Sequence, residues 1–126
     1  VKNKWEWAGE VQNAPHLFPN HDALILPSFY EGLPNVVCEA FFSGTPVLAS
    51  NVCDHPHLVD MPNRGFLFEP NSPESLVDAL EKFTKLSSAQ LEKLSKNARS
   101  FAEQSLSLSK MVNSYHDLFT STLNKK

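Results

Sequence analysis

An α/β fold, a Rossmann-like parallel sheet with covering helices, is what this sequence predicts. Three observations point there. Short apolar runs of strand length, Ala23–Leu26 (ALIL), Pro46–Ala49 (PVLA) and Gly65–Phe68 (GFLF), are bounded by Pro, Ser and Gly. A helical stretch opening at Pro34 separates the first two runs. After Pro70 the apolar spacing turns helical and stays so. The 126 residues, 41% hydrophobic and 20% charged, suffice for one domain with a sizeable core.

Taken in order, Lys4–Ala8 (KWEWA) alternates Trp with charge before Gly9, which suits a strand and its exit turn. Trp5 and Trp7 would share one face of it, packed in the core. Ala23–Leu26 is a continuous apolar run stopped by Pro27, the pattern of a strand buried on both faces. Val36–Phe42 is apolar on most sides, and Gly44 supplies a helix stop. Ser72 can cap the next helix, with Pro73 in its first turn and Leu76, Val77, Leu80 and Phe83 inward. Ser87 or Ser88 starts another, with Leu91, Leu94, Ala98 and Phe101 inward. Ser107 can cap a last helix that turns Met111, Val112, Tyr115, Leu118 and Phe119 inward. Asn124–Lys126 read as a frayed tail.

The formal net charge of −3 is spread along the chain, so nucleic acid is not expected as a partner. No apolar run approaches the ~18 residues that span a bilayer. Cys38 and Cys53 lie in apolar surroundings without metal-ligand spacing, and read as reduced thiols of a cytoplasmic protein. His55-x-His57 lacks a third ligand of clear spacing, so no metal is expected; a loop pair near a pocket mouth is. Ser28 is not set in G-x-S-x-G, which leaves a hydrolase elbow unsupported. The chain opens on Val1 rather than Met, as an excised piece of a longer protein would.

Chemistry concentrates in PSFYEGLPNVVCEAFFSGTPVLAS, residues 27–50. In parallel sheets ligands bind at the carboxyl ends of strands, and this stretch leaves such an end. A helix start offers unpaired N–H groups and the positive end of the helix dipole, a ready anion site. Pro34 has no N–H, so the donors are the amides of Leu33, Asn35 and Val36. Gly32 lets a ligand approach the backbone closely. Glu39, one turn into the helix, can accept two hydrogen bonds from a vicinal diol such as a ribose. Glu31 would face the same crevice. Phosphate, ribose and a second polyol together describe a nucleotide sugar. From the residues alone, Glu39 could equally serve the helix dipole, and Glu31 could be a solvated loop residue. Phe29 and Tyr30 are expected to pack the loop.

The pattern PS-x2-EG-x6-EA-x3-GTPV-x-AS resembles the donor-binding region of retaining glycosyltransferases of family 4, which have the GT-B fold. Trp7-Ala-Gly-Glu-Val11 is similar to that family's strand-Gly-x-Val element. Gly65-Phe-Leu-Phe-Glu-Pro70 is similar to its G-x-L-x-x-P step, and Ser107–Tyr115 to its closing helix. The wording EGLPNV is closest to bacterial transferases that build capsular or lipopolysaccharide chains.

The resemblance implies that residues 1–126 are the later part of a C-terminal nucleotide-sugar-binding domain, the N-terminal acceptor domain being absent. It implies Glu31 as the catalytic residue beside the transferred sugar, stabilising charge as the anomeric bond breaks. Glu39 would hold the ribose, and the amides of Leu33, Asn35 and Val36 the diphosphate, with Gly32 beside them. The backbone near Val11 would border the base. Transfer would retain anomeric configuration without metal or other cofactor. The acceptor would be a saccharide or a lipid-linked one, with peripheral contact at the cytoplasmic face of the inner membrane. Two departures stand out. Where the family often has a Gly-Gly pair and a Glu, this chain reads Asn51-Val-Cys-Asp-His-Pro-His57, with His57 in the place of the Glu. The upstream Arg and Lys that neutralise the donor diphosphate are not in this stretch, so alone it is expected to bind donor weakly and to transfer nothing. The competing reading is a non-catalytic interaction or regulatory domain on the same fold.

Overall fold

A computed structural model of the chain describes residues 4–60 and 63–123. The expected tail, Asn124–Lys126, lies outside them. The strands are β1 (Leu24–Leu26), β2 (Val47–Ser50) and β3 (Gly65–Phe68). The helices are α1 (Asn35–Phe42), α2 (His55–Val59), α3 (Pro73–Thr84), α4 (Ser88–Phe101) and α5 (Leu108–Leu123). Two 3-10 turns, Ala14–His16 and Phe18–Asn20, precede β1, and a π-helical segment, Ala102–Leu106, joins α4 to α5.

The three strands run parallel in the order β1-β2-β3, with Leu24 beside Val47 and Val47 beside Gly65. All four residues of β2 are buried, because helices cover both faces of the middle strand. Val47 and Ala49 point into a core with Val37, Ala40 and Phe41 of α1, Leu58 and Val59 of α2, and Ala98 of α4. Leu48 points the other way, toward Phe66, Phe68, Ala79 and Leu94. Gly65 is required by close approach. A Cβ there would sit 1.8 Å from the carbonyl oxygen of Val47.

The helix ends follow their capping chemistry. Ser72 Oγ accepts the Ser75 amide at 3.2 Å. Ser87 and Gln90 form a reciprocal capping box, so Ser87 rather than Ser88 is the cap of α4. Lys110 N–H donates to Ser107 Oγ at 3.3 Å. Past α1, Gly44 takes φ 74°, while its amide bonds Phe41 O and the Thr45 amide bonds Ala40 O. That pair of bonds is a Schellman turn.

Four expectations fail. Lys4–Ala8 is not a strand, and Trp5 and Trp7 are 69% and 79% exposed, their rings 6.4 Å apart. No strand among the described residues pairs with this segment, and an extended chain without a ladder partner gains no sheet hydrogen bonds. β1 is not buried on both faces: Ile25 is 42% exposed. It lies on an edge strand, and α3, the helix on that side of the sheet, packs over β3. Val77 faces solvent, and the inward stripe of α3 is Leu76, Ala79, Leu80 and Phe83. Finally, Met111, Val112, Tyr115, Leu118 and Phe119 do share a side of α5, but all are exposed. Among the described residues the helix packs mainly on the π-helical segment before it, and none of its residues is buried.

Candidate functional site

The loop between β1 and α1 leaves the carboxyl edge of the sheet, where the alternation of strand and helix puts it. Pro34 is the residue before the helix, with φ −72° and ψ 107°, and α1 begins at Asn35. The first helical bond runs from the Val37 amide to Pro34 O at 3.0 Å. The amides of Asn35 and Val36 therefore precede the hydrogen-bond ladder, at the positive end of the helix. Leu33 is exposed just ahead of them. Gly32 is exposed too, and among the described residues no atom beyond its own chain neighbours lies within 4 Å of where a Cβ would stand.

Glu31 is half-buried. The Ser28 hydroxyl donates to its Oε1 at 2.7 Å, fixing one carboxylate oxygen and leaving the other to address a ligand. Glu39 is half-buried within α1. Among the described residues its carboxylate enters no ion pair. In chain order Glu31 thus precedes the helix start and Glu39 follows it within α1, with the amides of Asn35 and Val36 between them. Val11 belongs to no strand or helix and lies on exposed, irregular chain.

Phe29 and Tyr30 do not pack the loop. Tyr30 is 83% exposed, and Phe29 lines a groove of about 280 Å³ with Pro27, Phe68, Glu69, Pro70 and Leu76. The groove opens at the carboxyl ends of β1 and β3. Neither Glu31 nor Glu39 lines it.

The segment after β2 departs from expectation as well. His55 is not at a pocket mouth. It is fully buried, and its Nδ1 donates to the carbonyl of Ser50 at 2.7 Å. Since a carbonyl only accepts, a proton sits on Nδ1, and Nε2 has no partner among the described residues. His57 is exposed, with its ring edge-on to Phe101, so the two histidines face different surroundings. No group of three or more His, Cys, Asp or Glu gathers among the described residues. Cys53 is exposed rather than embedded, at φ 48°, the left-handed region that Gly enters most easily. Cys38 is half-buried, and burial pushes its thiol pKa up, with the neighbouring Glu39 adding to the rise. Both thiols are free.

Reading the sequence did not find the hydrogen bonds behind Glu31. Ser50 Oγ donates to the Ser28 carbonyl, and Ser28 Oγ to Glu31. The only signal was a Ser at the carboxyl end of two neighbouring parallel strands, which strand patterning does not weigh.

Comparison with known proteins gives this arrangement a context. Residues 1–101 match the family model described as glycosyl transferases group 1. The chain is 31% identical over 113 residues to the Escherichia coli UDP-Gal:alpha-D-GlcNAc-diphosphoundecaprenol alpha-1,3-galactosyltransferase. That match covers 90% of this chain and 28% of the relative. Among solved structures, a glycosyltransferase from Rickettsia africae ESF-5 superposes with TM-score 0.85 at 21% identity, over 99% of this chain and 34% of that one. WaaG, a glycosyltransferase involved in lipopolysaccharide biosynthesis, superposes with TM-score 0.59 at 31% identity, over 69% and 24%. The chain spans about a third or less of the length of each.

Proposed function

Because the chain belongs to the group 1 glycosyl transferases, as the C-terminal domain of a GT-B fold, we propose that Ser28–Glu39 binds a nucleotide-diphosphate sugar. The observation that carries the reading is the pair of half-buried carboxylates, Glu31 and Glu39, flanking the start of α1 at the carboxyl edge of a parallel sheet. The amides of Leu33, Asn35 and Val36 receive the diphosphate, with Gly32 admitting close approach. Glu39 accepts the ribose hydroxyls, and Glu31 stands beside the transferred sugar. The backbone near Val11 borders the base.

In the longer protein the sugar passes to an acceptor with retention of configuration, through an oxocarbenium-like transition state. Donor hydrogen bonds at the departing diphosphate supply the main electrostatic stabilisation, so no metal or other cofactor is required. Glu31 and Glu39 are not a glycosidase acid–nucleophile pair, since Glu39 is committed to the nucleotide. The name of the E. coli relative joins a UDP sugar to a diphosphoundecaprenol-linked acceptor. It supports a saccharide or lipid-linked acceptor here, in surface polysaccharide or glycolipid synthesis on the cytoplasmic side of a membrane. No helix among the described residues is long and apolar enough to cross one.

The test is titration of the chain with UDP, GDP, ADP and dTDP, followed by backbone amide NMR shifts. Saturable shifts at residues 31–39 with one nucleotide are expected, and they name the base. Glu39→Gln should weaken that binding by about 1–3 kcal/mol, the loss of a charge-assisted hydrogen bond. Silence from all four nucleotides at millimolar concentration would mean either that the upstream basic residues are essential to binding or that the interaction-domain reading takes the lead. Sugar transfer by the chain alone is not expected, and its detection would refute the need for the upstream residues.

A further inference from the structure

Behind Glu31 runs a continuous line of hydrogen bonds that crosses three separate parts of the chain. His55, at the start of α2, donates from Nδ1 to the Ser50 carbonyl at 2.7 Å. Ser50, the last residue of β2, donates from Oγ to the Ser28 carbonyl. Ser28, in the loop after β1, donates from Oγ to Glu31 Oε1 at 2.7 Å. We propose that Ser28 is a positioning residue that aims the Glu31 carboxylate at the transferred sugar, with Ser50 and His55 as its fixed support. The aiming at sugar rests on the donor-site reading above.

The physical case lies in burial and in direction. Ser50 and His55 are each 0% exposed, so their hydrogen bonds are not traded with water and their rotamers are locked by packing. Each serine accepts at its own backbone carbonyl from the group behind and donates from its own hydroxyl to the group ahead. The line therefore has one sense, from the interior to the half-buried carboxylate. Glu31 itself sits on a loop beside exposed Phe29, Tyr30 and Gly32, and among the described residues the Ser28 hydroxyl is the one hydrogen-bond partner of its carboxylate. Without the Ser28 hydroxyl its side chain has several staggered rotamers open to it. A site built on a loop needs such a brace to hold geometry.

The test has two readouts on the same 126-residue chain. The first is the set of three-bond couplings of the Glu31 side chain by NMR, without nucleotide. A single rotamer is expected in the unaltered chain, averaging in Ser28→Ala, and a single rotamer again in Ser28→Thr. Averaged couplings in the unaltered chain, or couplings unmoved in Ser28→Ala, would overturn the positioning role. The second readout is the Kd for a nucleoside diphosphate and for its sugar conjugate. In Ser28→Ala the preference for the sugar conjugate should fall about tenfold, as expected for one charge-assisted hydrogen bond, with diphosphate affinity within about twofold. Equal losses for both ligands would show a general loosening of the loop and refute the aiming at sugar. Ser50→Ala should reproduce the averaging of Glu31. If that variant does not fold, Ser28→Ala alone decides. A single rotamer in a chain that binds no nucleotide would tell against donor binding by this chain alone while leaving the brace on Glu31 in place.

Discussion

Helix α1 has eight residues and buries Val37, Ala40 and Phe41, whereas α5 has sixteen and buries none. Both carry apolar residues at helical spacing. The difference lies in what surrounds them. α1 is held between β2, α4 and the π-helical segment, and Phe41 meets Phe101 edge-on at 6.2 Å. Among the described residues α5 packs mainly on that same segment, and its Tyr115 and Phe119 stack on each other. Periodicity states which side of a helix can be buried. Whether it is buried depends on elements distant in sequence.

The contrast can be broken at its strongest point first. Phe41→Ala removes a fully buried ring and should cost about 3–5 kcal/mol in urea unfolding. Gly44→Ala should cost less, about 1–2 kcal/mol, because φ 74° strains an L residue and the new Cβ would lie 3.1 Å from Ser95 Oγ. Phe119→Ser on α5 should stay within about 0.5 kcal/mol, the usual range for an exposed site. A cost above about 2 kcal/mol for Phe119→Ser would show that α5 is packed in solution and would remove the contrast.

The same distinction explains what could be read from the sequence. β2, β3, the Gly44 stop and the caps Ser72 and Ser107 follow from local rules, because Pro, Gly and Ser act on their own neighbours. So does the start of α1, and with it the flank of Glu31 and Glu39. The Trp5–Trp7 segment could not be judged that way, since a strand exists only with a partner. Val77 was one helical step from the true stripe, and the small Ala79 that takes its place carries little apolar signal. The interior position of His55 was hidden by its polarity, and the Ser50–Ser28 bond joins residues 22 apart that only the parallel register brings together.

Cys53 brings a practical gain. It is the exposed thiol of two, and the other, Cys38, is half-buried with its thiol pKa raised by burial. A maleimide dye offered near neutral pH will therefore react first at Cys53, because it meets an accessible group there and little thiolate at Cys38. Cys53 follows the carboxyl end of β2, the strand whose last residue braces the loop of Glu31. The unaltered chain thus carries its own attachment point for a fluorescent reporter close to that loop, and ligand screening can begin without engineering one.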